Sequence, residues 1–148
     1  MSSASRASPG RILLTLIAIN TGVGPYIADF NKTHIYNPNW PPHAKFHDGQ
    51  TMSMGALCGL LSLYLLYRPS PKYNVDTAFI VALLDAVYFV TQLTAWFYPG
   101  SAPLDPPNDP TAFPQAYAAV PIICLSGLGY LLEKNRLEGL KEGQKKEG

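Results

Sequence analysis

Residues 77–97 read TAFIVALLDAVYFVTQLTAWF, and this stretch decides the fold. It carries one charged residue, Asp85, and has about the length that an α-helix with a rise of ~1.5 Å per residue needs to cross ~30 Å of hydrocarbon. Because lipid offers no hydrogen-bond partner to free backbone groups, such a segment crosses the bilayer as a helix. We therefore predict a transmembrane helix here.

Three more apolar stretches of similar length accompany it, and prolines are concentrated in the joints between them. The predicted fold class is all-α, an integral membrane four-helix bundle. One transmembrane domain covers residues 1–132, and a polar cytoplasmic tail follows over residues 133–148. The predicted helices cover residues 12–28, 50–67, 77–97 and 113–132.

The composition agrees with a membrane protein and limits the partners. Charged residues make up only 14% of the chain, against about 25% in soluble domains. The net charge of +1 gives no basic field for nucleic acid, so no nucleic-acid partner is expected. The expected partners are membrane lipid and a lipophilic small-molecule substrate, and a homo-oligomer is left open.

The lysines and arginines predict the orientation, because they are enriched in cytoplasmic segments. Nine of the eleven fall on the side that holds the N-terminus, the second joint and the tail, whereas only Lys32 and Lys45 fall on the other side. Both termini are therefore expected in the cytoplasm. Lys145 and Lys146, fourth and third from the C-terminal residue, resemble a dilysine retrieval signal, which predicts the endoplasmic reticulum membrane.

All three histidines lie in the segment that joins the first two helices. Pro41 and Pro42 suit the first turn of a helix, where a missing N–H costs nothing, so the second helix is expected to begin near Pro42. His43 and His47 are four residues apart and would share a face. The remaining polar residues of this mouth of the bundle are Asp29, His34 and Asp48.

A second polar stripe runs along the third predicted helix, where Asp85, Tyr88, Gln92 and Trp96 recur at helical spacing. A carboxylate near the bilayer midplane costs roughly 2.5–3.5 kcal/mol on insertion scales, so Asp85 should face the bundle interior. A protonated carboxylic acid in an apolar pocket is a good general acid. The alternative is structural: Asp85 would only hydrogen-bond Asn20 or a backbone carbonyl.

Together the two stripes predict proton-transfer chemistry on a lipophilic molecule, without a cofactor. The candidate catalytic residues are Asp85, Asp29, His34, His43 and His47. The candidate substrate-binding residues are Asn20, Tyr88, Gln92, Trp40 and Trp96. We predict no metal site because no third ligand is placed beside His43 and His47, although their spacing suits a metal and leaves that question open.

The stretch DFNKTHIYNPNWPPHAKFHDGQTMSMG, residues 29–55, resembles a signature of small four-pass fungal membrane proteins of mostly uncharacterised function. The resemblance is carried by Thr33-His34, Asn37-Pro38, Trp40 and residues 43–47. In architecture the chain also looks like the sterol-isomerase and emopamil-binding superfamily, and like the fungal membrane cyclases and epoxide-opening enzymes. These likenesses imply a compact bundle in the endoplasmic reticulum that acts on a lipophilic ligand.

Two functions follow as expectations. The first is an enzyme that isomerises, cyclises or opens an epoxide in a terpenoid, polyketide or sterol-like substrate by acid–base catalysis. The second is a protein that binds lipid or sterol without reaction, or that assembles a membrane complex, because small residues on the second helix suit helix–helix contact. An enzyme is expected to need an enclosed cavity that reaches both Asp85 and the histidines, whereas a partner-binding protein would pack those side chains tightly.

Overall fold

The structure is a computed structural model that describes residues 7–69, 73–106, 108–109 and 111–146, with the side chain of Lys146 excepted. Several residues used above for the charge count and the joints lie outside the described part of the chain. These residues are Arg6, Pro71, Lys72, Pro107 and Pro110.

The described residues form four long α-helices and no strand. Each of the four is long and apolar enough to cross a membrane, so the prediction of an all-α, four-helix membrane protein is confirmed. A short 3-10 helix, Ala95–Phe97, extends the third. The helices are α1 Pro9–Asp29, α2 Pro42–Tyr67, α3 Val75–Thr94 and α4 Pro114–Lys146.

Caps and prolines set the helix starts: α1, α2 and α3 begin at Pro9, Pro42 and Val75, before their apolar stretches at residues 12, 50 and 77, whereas α4 begins at Pro114, one residue inside its stretch. Ser8 precedes Pro9 and its hydroxyl accepts a hydrogen bond from the backbone N–H of Arg11 at 3.3 Å. At α3, the Asn74 side chain accepts a hydrogen bond from the backbone N–H of Thr77 at 2.8 Å. Such caps satisfy the free donors of the first turn, which explains why the helices outlast the apolar pattern.

The four helices form a ring in which α1 and α3 each pack against α2 and α4. The tightest contact joins α1 to α2. A Cβ atom added at Gly59 would lie 2.5 Å from the Ala18 carbonyl oxygen and 2.8 Å from Gly22, and one added at Gly55 would lie 2.8 Å from the Thr21 carbonyl oxygen. Only glycine lets the two backbones come this close, as in other membrane helix pairs.

A buried polar network ties three elements together at the end of the bundle that holds the start of α1. Glu133 of α4 is fully buried and accepts hydrogen bonds from the Ser8 hydroxyl, from Tyr73 at 2.9 Å and from Arg136 at 2.8 and 3.1 Å. The Arg11 guanidinium lies over the Tyr73 ring, 4.3 Å from its centroid. Burial and the adjacent Glu133 carboxylate raise the pKa of Tyr73, so its hydroxyl stays a donor at neutral pH.

Gly59→Ala should destabilise the bundle, because the new methyl group meets backbone atoms of α1 that cannot move aside. The expected loss in the free energy of unfolding is about 1–3 kcal/mol, the usual range for overpacking. Unfolding by sodium dodecyl sulfate in mixed micelles measures it. Gly127→Ala on α4 is the matched control, since nothing lies within 4 Å of its added Cβ. Equal stability of the two variants would contradict the proposed close contact.

Candidate functional site

A cavity of about 520 Å³ opens at the end of the bundle where α1 ends and α2 begins. Its apolar wall includes Pro25, Phe89 and Ile122, which come from α1, α3 and α4. The volume falls within the range of about 300–1,000 Å³ that is usual for small-molecule sites. The polar side chains that line it are Asn20, Asp29, His34, Asp48, Tyr88, Gln92 and Gln115.

Asp29 and His34 face each other at this cavity, with 3.6 Å between Asp29 Oδ1 and His34 Nε2. Asp29 is the last residue of α1, and the chain turns back so that the backbone N–H of Ile35 donates to the Asp29 carbonyl at 3.3 Å. This turn, only five residues from Asp29 to His34, is what brings the carboxylate to the imidazole.

The local hydrogen bonds determine which nitrogen of His34 faces Asp29 with a lone pair. The Thr33 hydroxyl donates to Asn31 Oδ1 at 2.6 Å, so it can only accept from His34 Nδ1, 2.7 Å away. The neutral ring then carries its lone pair on Nε2, toward the Asp29 carboxylate. An attractive contact requires one proton between the two groups. The pair is therefore chemically able to hold and transfer a proton.

Two further acceptors at the cavity lack a partner. Asp48 Oδ2 and Gln115 Oε1 are both buried, and neither has a hydrogen bond to any described residue. The amide nitrogen of Gln115 is held by the Pro103 carbonyl at 2.8 Å, which fixes the direction of its oxygen. Buried polar groups normally find partners, so a ligand with hydroxyl or ammonium donors would complete this site.

Trp40 and Trp96 lie beside the cavity rather than on its wall. Trp40 packs edge-on against His34 with 4.9 Å between ring centroids, and its indole N–H donates to Asp105 at 2.8 Å. Trp96 stacks on Phe113 and lines a smaller cavity of about 170 Å³. The two cavities share Gln92 and Gln115 as lining residues.

His43 and His47 do not line the cavity. Both are exposed at the start of α2, where they share a face as their spacing predicts, with 3.0 Å between their Nε2 atoms. Among the described residues, no group of three or more histidine, cysteine, aspartate or glutamate side chains is placed to hold a metal ion. The predicted catalytic roles of His43 and His47 stay predictions.

Asp85 is fully buried in the bundle and does not line either cavity. Neither oxygen of its carboxyl group has a hydrogen-bond partner among the described residues. Ser62 of α2 faces it, but the two side chains form no hydrogen bond of ordinary geometry. The backbone carbonyl of Asp85 does have a partner, because the hydroxyl of Thr21 in α1 donates a hydrogen bond to it at 3.3 Å. The predicted role of Asp85 as a general acid also stays a prediction.

The part of the chain that forms this fold and this cavity matches a protein family. Residues 13–144 match a family described as "Family of unknown function (DUF6640)". The chain belongs to the DUF6640 family. The matched segment contains every residue that lines the cavity, so the site is part of the DUF6640 region. No curated protein and no solved structure matches the chain.

Sequence reasoning missed Gln115 and Asp105 of this DUF6640 chain. Gln115 is the one amide in the apolar stretch of α4, and that isolation was a usable signal because amides are rare in such stretches. Asp105 stands among the prolines of the third joint, and nothing in its surroundings indicates that it accepts the hydrogen bond from Trp40. Its role comes only from the contact between two distant loops.

Replacing the fully buried carboxyl groups of Glu133 and Asp85 by amides should change the stability of the bundle differently. Glu133→Gln weakens hydrogen bonds to a charged acceptor, which are worth about 1.5–3 kcal/mol each, so the bundle should unfold at a lower detergent-denaturant concentration. Asp85→Asn keeps the shape and removes a carboxyl that has no partner, so stability should be unchanged or higher.

Detergent unfolding of both variants beside the unsubstituted chain makes this comparison. A larger loss of stability for Asp85→Asn than for Glu133→Gln would show that Asp85 has a structural partner. In that case Asp85 would have the structural role described above, a hydrogen bond within the bundle.

Proposed function

We propose that this protein is a membrane enzyme that performs acid–base catalysis on a lipophilic small molecule without a cofactor. The observation that carries the proposal is the Asp29–His34 pair, whose Oδ1 and Nε2 atoms lie 3.6 Å apart at a cavity that polar and apolar side chains line together. The reaction is an isomerisation, a cyclisation or an epoxide opening, because each needs only proton donation and proton removal.

The proposed chemistry balances within the site. The Asp29–His34 pair gives its proton to an alkene carbon, where the π bond becomes a C–H bond and leaves a carbocation, or to an epoxide oxygen, whose bond to carbon breaks as water attacks that carbon. Asp48, whose Oδ2 has no partner among the described residues, takes a proton from the neighbouring carbon or from water. In an isomerisation the substrate loses as many protons as it gains, so no oxidant or reductant is required.

The remaining lining residues orient the substrate. Asn20, Tyr88 and Gln92 offer hydrogen bonds at the wall, and they border the same space as Asp29 and His34. Trp40 packs against the His34 ring from outside the cavity, so it positions the proton-donating pair rather than touching the substrate. The proposal does not use Asp85, His43 or His47, because none of them lines the cavity.

A binding function without reaction is the second candidate. It is favoured by Asp85, which is packed in the interior with no access to the cavity. In this case the unpartnered oxygens of Asp48 and Gln115 hold a sterol or other lipid by its hydroxyl group. A membrane-assembly role belongs to the same class.

We place the protein in the endoplasmic reticulum membrane with both termini in the cytoplasm. The nine-to-two division of lysine and arginine residues supports this orientation. The Lys145-Lys146 pair supports the location, and so does the architectural likeness to the sterol-isomerase and emopamil-binding superfamily of the endoplasmic reticulum. The proposed substrates are therefore terpenoid, polyketide or sterol-like molecules of that membrane.

Asp29→Asn and His34→Ala should each abolish product formation in membranes of a deletion strain that carries the variant. Loss of a general acid or base typically lowers a rate about 10²–10⁴-fold. Untargeted metabolite comparison of the deletion strain with the complemented strain identifies the substrate and the product. Asp109→Asn is the matched carboxylate control, because Asp109 is exposed in the third joint.

The same strains separate the two candidate functions. If Asp29→Asn and His34→Ala abolish the product while the purified variants still bind the accumulated metabolite, the enzyme proposal stands. Full product formation by both variants would remove the proposed proton-transfer pair. A deletion strain with unaltered metabolites would favour the binding or assembly role.

Lys145→Ser combined with Lys146→Ser should let the protein leave the endoplasmic reticulum, because the retrieval signal would be lost. Fluorescence microscopy of a protein tagged at its N-terminus, which leaves the C-terminus free, measures the location. Lys134→Ser combined with Lys141→Ser removes the same charge further up α4 and serves as the control. An unchanged location of the terminal variant would contradict both the signal and the evidence it gives for a cytoplasmic C-terminus.

A further inference from the structure

The outer surface of α2 carries a pair of histidines that the proposed reaction does not use. His43 and His47 are both exposed, and they meet edge to face with 4.5 Å between ring centroids. Their Nε2 atoms lie 3.0 Å apart and form a hydrogen bond, in which one ring donates and the other accepts. Neither residue lines the cavity that contains Asp29 and His34.

Gln50 fixes the proton on the far nitrogen of His47. Its side-chain oxygen lies 3.3 Å from His47 Nδ1, and because that oxygen can only accept, Nδ1 is the donor. The neutral His47 ring then has its lone pair on Nε2, directed at His43. This is the arrangement that metal-bound histidines show, in which a second residue holds the other ring nitrogen.

A cation shared by the two Nε2 atoms would replace the hydrogen between them, with the His43 proton moving to Nδ1 and both exposed rings rotating toward the metal. Imidazole nitrogen lies about 2.0–2.1 Å from a bound divalent metal. With the two atoms 3.0 Å apart, a metal bonded to both would subtend an angle of about 91–97° for bonds of that length. This angle matches the right angle between neighbouring ligands in tetragonal and octahedral complexes, which copper(II) and nickel(II) prefer.

We propose that His43 and His47 chelate one divalent transition-metal cation of the copper(II), nickel(II) and zinc(II) class. Gln50 acts as the positioning residue for His47, and water fills the remaining coordination positions. Copper(II) should bind most tightly, in accord with the general order of divalent metals. The positive end of the α2 dipole and the neighbouring Lys45 oppose a cation here, so the site is weaker than a three-ligand centre. The inference is independent of the proposed function.

Copper(II) chloride added to the full chain in lipid nanodiscs tests the proposal. The chain is purified with an affinity tag that contains no histidine. Electron paramagnetic resonance should show nitrogen hyperfine splitting from two imidazoles for the unsubstituted chain and from at most one for His43→Ala or His47→Ala. Either substitution should weaken binding at least about tenfold, and Gln50→Ala by about tenfold, the lower end of the effect of losing an outer partner.

His34→Ala is the matched control, because it removes the third histidine of the chain from the cavity rather than from the surface of α2. Its copper spectrum and affinity should equal those of the unsubstituted chain. The proposal is overturned if His43→Ala and His47→Ala bind copper like the unsubstituted chain. It is equally overturned if binding is lost in His34→Ala, which would place the metal at Asp29 and His34 instead.

Discussion

The close approach of the α1 and α2 backbones is the constraint on which the rest of the structure depends. Gly55 and Gly59 have no side chain where α1 passes, and any Cβ there would meet backbone atoms. With the two helices held this close, the end of α1 and the start of α2 lie side by side. The connecting segment, residues 30–41, must then fold back over the helix ends, and in doing so it sets His34 against Asp29.

Three carboxyl groups of the bundle have physically different surroundings. Glu133 is surrounded by donors and a guanidinium, so its charge is compensated and it joins elements. Asp29 lies 3.6 Å from the His34 imidazole and borders the cavity. Asp85 has neither kind of surroundings, although it is buried as deeply as Glu133. Burying a carboxyl group in an apolar interior costs free energy. The different surroundings of the three groups therefore indicate different roles.

The number and type of the helices could be predicted from the sequence because bilayer thickness fixes the length of an apolar stretch. The helix ends are harder to predict from hydropathy, since caps and prolines set them: α2 begins eight residues before its apolar stretch. Helical spacing places Asp85, Tyr88 and Gln92 on one face, yet only Tyr88 and Gln92 border the cavity. Spacing gives the direction around a helix but not how far along it a cavity extends. The role of Asp105 depends on a contact between two distant loops, which no local pattern encodes. Gln115, in contrast, stands alone as an amide in its apolar stretch, and the sequence does carry that signal.

The unbroken course of α4 has a mechanical consequence. From the buried Glu133 the helix continues to Lys146, and at a rise of about 1.5 Å per residue this extension is about 20 Å long. Ser8 and Tyr73 anchor its base through their hydrogen bonds to Glu133, and the extension is helical over its described length rather than an irregular tether. The length of this helical extension sets how far Lys146 stands from Glu133. Since each residue turns the helix by about 100°, adding or removing one between them would also turn Lys146 to a different side.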